Sequence, residues 1–64
     1  MKELMIRCKL EMALDWAKLK VTEENFEGAL EMIEMDMEEM NIDMDEAIDQ
    51  WILDTKENFP EYFL

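Results

Sequence analysis

The chain has no histidine, and only one cysteine, one glycine and one proline. A lone Cys8 excludes an internal disulfide. Without His, and with one Cys, a structural zinc site has too few ligands. The same absence excludes Ser–His and Cys–His nucleophile pairs and the Glu-x-x-His pairs of di-iron bundles. There is no glycine-rich phosphate loop. There is no long apolar run either, so neither a membrane span nor a secretory leader is expected. Cations are scarce: six Lys and Arg face 18 Asp and Glu, for a formal net charge of −12. That balance argues against direct binding to nucleic acid or to an anionic membrane.

What is present favours helix. Few helix breakers and eight Met in 64 residues suit helices throughout. Hydrophobic residues make up 50% of the chain, which separates it from disordered acidic tails. The length predicts a single helical domain over 1–64, with a stability of about 3–5 kcal/mol.

Three segments carry helical periodicity. Lys2 to Lys20 reads as the first helix. Ile6, Leu10, Ala13, Leu14, Ala17 and Val21 fall on one side of it. Met5, Cys8, Met12, Trp16 and Leu19 fall on another. So wide an apolar arc predicts contact from two directions, by both other helices or by a second copy. Cys8 and Trp16 are accordingly expected in core. Thr22 is a good N-cap for a second helix from Glu23 to about Met40, with Val21 and Phe26 as a hydrophobic staple. Phe26, Ala29, Leu30, Ile33, Met37 and Met40 form its apolar stripe. Gly28 is expected to admit the first helix closely.

After a break at Asn41-Ile42, Asp43 and Glu46 form a variant capping box for a third helix. Ala47, Ile48, Trp51, Ile52 and Thr55 face inward there, and Pro60 ends the helix at or before Asn58. The aromatic tail Phe59–Leu64 is expected to fold back over the bundle or to lie on a partner. The fold class is all-α: a small three-helix bundle with short loops and an aromatic C-terminal tail.

The functional signal lies between Val21 and Thr55, which holds 13 of the 18 carboxylates and no Lys or Arg. Glu27, Glu31, Glu34 and Glu38 recur at spacings of four, three and four, on one helix face. Unrelieved carboxylates at such spacings repel by roughly 0.2–0.5 kcal/mol per pair. Asp45, Glu46 and Asp49 continue the acidity on the third helix. Duplex DNA carries a negative charge every ~1.7 Å of its axis, and two acidic helices side by side approach that density. Met35 and Leu53 stand among the carboxylates as apolar anchors, whereas Met32 reads as ordinary scattered exposure.

Other chemistry fits poorly. Asp43-Met44-Asp45 resembles the start of a calcium loop, but Ala47 takes the fifth position and the required glycine is missing. No metal or cofactor is expected. The carboxylates lie on a convex face, and so short a bundle is expected to lack a ligand pocket of several hundred Å³. An enzyme is therefore not expected.

The reading is an acidic, protein-binding inhibitor that mimics nucleic-acid charge. Glu27, Glu31, Glu34, Met35, Glu38, Asp45, Glu46, Asp49 and Leu53 would enter the basic groove of a nucleic-acid-processing protein. In charge and size the chain resembles the small decoys that phages and other mobile elements use against restriction or CRISPR nucleases. The alternatives are a helical module dimerising through its first helix, or an immunity or antitoxin-like partner of a basic protein. A reduced, cytoplasmic setting is expected from the unpaired Cys8.

Overall fold

The computed structural model describes residues 2–64, with side chains from Glu3 onward; Met1, part of the expected 1–64 domain, lies outside the described residues. Helices span Lys2–Trp16 (α1), Glu23–Met40 (α2) and Met44–Asn58 (α3), and a 3-10 turn follows at Pro60–Tyr62. No strand occurs among the described residues. The expected all-α three-helix bundle is the observed fold.

The helix starts follow from their caps. Thr22 is extended and its hydroxyl accepts the Asn25 N–H at 3.1 Å. Asp43 is likewise extended and its carboxylate accepts the Glu46 N–H at 2.8 Å. Each satisfies an amide that the first turn leaves without a partner. Asn41 closes α2 in the left-handed region, at φ 54°. The short connection that follows turns α3 back along α2.

The first helix is shorter than its sequence pattern. It stops at Trp16, not Lys20, because residues 14–19 close into a Schellman motif. Leu19 N–H donates to the Leu14 carbonyl at 2.8 Å, and Lys18 N–H to that of Asp15 at 3.1 Å. Lys18 takes the left-handed position, at φ 59°. A side chain with a Cβ costs roughly 1–2 kcal/mol there, and glycine escapes most of it. Lys18→Gly should therefore raise stability by about 1 kcal/mol in urea titration. The charge-matched control Lys20→Gly should not.

Ile6, Leu10 and Leu14 from α1, Phe26, Ala29, Leu30 and Ile33 from α2, and Ala47, Ile48, Trp51 and Ile52 from α3 form one buried core. The other side of α1 is not covered. Trp16 is 90% exposed, Met12 67% and Met5 58%, and Cys8 is exposed as well. Core positions for Cys8 and Trp16 are therefore wrong: α2 and α3 both pack on the Ile6–Leu14 side. Met40 was also expected inward, and is half exposed.

The aromatic tail packs on its own bundle. Trp51 meets Tyr62 edge-on at 5.5 Å between ring centres and Phe63 at 5.9 Å. Tyr62 hydroxyl donates to the Asn25 carbonyl at 2.6 Å, and Asn25 Nδ2 returns a bond to the Tyr62 carbonyl at 3.0 Å. Leu64 N–H donates to the Lys20 carbonyl at 2.7 Å. Partial burial moves the Tyr62 phenol above its ordinary pKa.

Gly28 serves this tail, not α1. A Cβ there would lie 3.0 Å from the Tyr62 hydroxyl oxygen. Gly28→Ala gains roughly 1 kcal/mol of helix propensity but presses on a hydroxyl held by its own hydrogen bond. The expected result is a near-neutral change in the native chain. In a Tyr62→Phe background the same substitution should stabilise by about 1 kcal/mol. Equal effects in both backgrounds would show that the hydroxyl exerts no pressure.

Candidate partner-binding surface

The ion pairs are set by how α1 sits against its neighbours. Arg7 and Lys9 are two positions apart on α1, which places them about 200° apart around its axis. They therefore reach different helices. Arg7 Nη2 bonds Glu27 of α2 at 2.8 Å, and its guanidinium lies 4.9 Å above the centre of the Phe26 ring. Lys9 Nζ bonds Asp45 of α3 at 2.8 Å. That hydrogen bond, and next the charge of Asp45, raise the Lys9 pKa above its ordinary value. Both pairs are solvent-exposed and so contribute little stability.

These pairs divide the acidic residues singled out in the sequence. Glu27 and Asp45 are each engaged by a cation and lie on opposite flanks of α1. The remaining acids of the Glu27–Glu38 row stay together: Glu31 and Glu38 are exposed and Glu34 is half-buried, with no ion pair to any of them among the described residues. Met35, 52% exposed, lies between Glu31 and Glu38 at helical spacing.

On α3, Glu46 and Asp49 are exposed, and Leu53 is 66% exposed. Asp49 and Leu53 share a hollow of about 560 Å³ with Met12, Trp16 and Lys56, between the end of α1 and α3. On α2, Glu31, Glu34 and Glu38 are thus left together with Met35 and without an ion pair among the described residues. Glu27 and Asp45 do not meet as one ridge, because each is held by a cation on a different side of α1.

Sequence reasoning missed a second acidic feature. α2, α3 and the tail border an open groove of about 970 Å³. The expectation that so small a bundle leaves no such space is wrong. The tail folds back through Tyr62, and Phe59, Glu61 and Tyr62 form one part of the groove wall. Met32, dismissed as scattered exposure, lines it together with Asp36 and Met40. These three recur every four residues, a spacing that was available as a signal.

Among the described residues no three His, Cys, Asp or Glu side chains converge as metal ligands. No described helix is long and apolar enough to cross a membrane. No family model matches the chain, and neither a curated protein nor a solved structure matches it.

With so few compensating cations, like charges on α2 and α3 repel across solvent. Screening acts over about 10 Å at 0.1 M salt. Moving from low salt to about 0.2 M should therefore stabilise the fold by about 1 kcal/mol, which for this size is roughly 4–8 °C in Tm. An unchanged Tm would mean that the carboxylates are too well separated to strain the fold.

Proposed function

We propose that this protein is an acidic decoy that binds the cationic, nucleic-acid-binding groove of another protein and occludes it. The observation that carries the reading is that Glu31, Glu34 and Glu38 have no ion pair among the described residues, the two described pairs lying elsewhere. A chain under selection for folding alone gains from a Lys at such spacings. Met35 adds apolar contact to the charged face, as an anchor inside a polar rim. Inhibition is steric and electrostatic, with fast association that weakens with salt. No catalytic step is involved. The partner is a basic protein, a nucleic-acid-processing enzyme such as a restriction or CRISPR nuclease in the first instance. An immunity or antitoxin role against a basic toxin uses the same surface on another target.

An exposed, unpaired Cys8 fits a reduced compartment, where it stays a thiol, and the proposal places the protein in the cytoplasm. The test is affinity capture with the immobilised chain at low and at high salt, with competition by duplex DNA for each protein recovered. Basic nucleic-acid-binding proteins, lost at high salt and displaced by DNA, support the decoy. Salt-resistant partners that ignore DNA overturn it.

A second reading has its own support. Met5, Cys8, Met12 and Trp16 make an exposed apolar line along α1, in the 1–20 stretch of sequence that holds five of the six Lys and Arg, where self-repulsion is least. A homodimer through α1 would bury it. Sedimentation equilibrium separates the two readings: a tight dimer dissociated by Met12→Lys, without affinity for basic proteins, favours the module over the decoy.

A further inference from the structure

The groove between α2 and α3 differs in kind from the Glu34–Glu38 face, and Glu31 borders both. Its exposed apolar surface comes from Met32 and Met40 on α2, Leu53 on α3 and Phe59 in the tail, each at least half exposed. Two of these four are Met, whose unbranched side chain adapts to differently shaped partners. Around that floor stand Glu31, Asp36, Asp54, Glu57 and Glu61, and among the described residues no Lys or Arg lines the groove. No described residue of α1 lines it either, so α1 occupies a different side of the α2–α3 pair.

We propose that this groove receives one amphipathic helix of a partner protein, with an apolar stripe along its centre and Lys or Arg on both edges. Two packed helices offer parallel ridges, and a further helix seated between them completes a four-helix arrangement. The apolar stripe would cover the Met32–Leu53 floor. The cationic edges would meet carboxylates supplied by both α2 and α3. Charge selects against the other obvious occupant: a second copy brings a further formal charge of −12 toward a rim that is already anionic. The inference does not require the decoy reading, since Glu34 and Glu38 lie outside the groove.

The test uses the full chain and labelled 15-residue peptides followed by fluorescence anisotropy. One peptide is an amphipathic Leu/Lys helix, one has the same composition scrambled to destroy the apolar stripe, and one replaces its Lys by Glu. The first should bind at micromolar concentration, the scrambled peptide at least tenfold more weakly, and the Glu peptide not at all. Met32→Lys plus Leu53→Lys changes two exposed side chains, so the fold should persist, as circular dichroism would verify. It should weaken the amphipathic peptide at least tenfold, while Glu34→Lys plus Glu38→Lys should change it less than threefold. Equal binding of scrambled and amphipathic peptides would overturn the proposal, leaving charge alone. So would an unaffected Met32/Leu53 variant, or a free chain that self-associates and is made monomeric by that variant.

Discussion

Trp51→Ala should leave the chain largely unfolded at 25 °C. Trp51 is 5% exposed and stands where the core of all three helices meets the tail. Truncating a buried Trp to Ala costs about 3–5 kcal/mol, through lost transfer free energy and the cavity left behind. A chain of this size has roughly that much stability in total. Collapse of the neighbours into the space is restricted, because Tyr62 and Phe63 both meet the indole edge-on and lose their contact surface with it. The tail then keeps the Asn25 and Lys20 bonds but loses its main aromatic contact with α3. The expected measurement is loss of most helical circular dichroism, partly recovered by an osmolyte such as trimethylamine oxide. Trp16→Ala is the internal comparison. Trp16 is 90% exposed, so the same chemical change should cost less than about 0.5 kcal/mol. Similar losses from both would place the two indoles in equivalent surroundings, contrary to the fold described.

The contrast between the two tryptophans also shows what the linear pattern could and could not reveal. Thr22, Asp43 and Pro60 act through their own backbone neighbourhood, so the limits of α2 and α3 follow from residue type alone. Lys18 does not announce itself in this way. A lysine in the left-handed position is uncommon, and α1 ends there because Leu14 and Leu19 join across the turn. The stripe Ile6, Leu10, Leu14 and the line Met5, Cys8, Met12, Trp16 are equally apolar on paper. Only three-dimensional packing decides which one the other helices cover. Gly28 faces the same limit, since its neighbour Tyr62 is far away in sequence. For the acids, spacing identified Glu31, Glu34 and Glu38 as one face. It could not show that Arg7 and Lys9 would reach across to Glu27 and Asp45. Nor could it place Asp36 and Glu57 on one groove, because that depends on how α3 turns against α2.

Glu34→Lys plus Glu38→Lys should reduce affinity for a basic partner by about 100-fold or more, roughly 2.7 kcal/mol, with the helical fold retained. The two substitutions move the charge of one α2 face by four units. They place cations where a partner's Lys and Arg would stand, and like-charge contact costs several kcal/mol at an interface. Glu38 is exposed and Glu34 half-buried, so neither removal opens a core cavity. Glu27 is deliberately left alone. Reversing it would repel Arg7 and confound fold with binding. Net charge also changes, and a long-range effect would mimic a local one. Glu3→Lys plus Glu11→Lys supplies the control: both residues are exposed on α1 and the charge changes equally. A local decoy surface predicts a large loss in the first variant and a loss below about tenfold in the second, mostly in association rate. If both variants weaken binding equally, overall charge is the determinant and the α2 face has no special role. If neither weakens it, the partner engages another surface, and the exposed apolar line of α1 becomes the one to mutate.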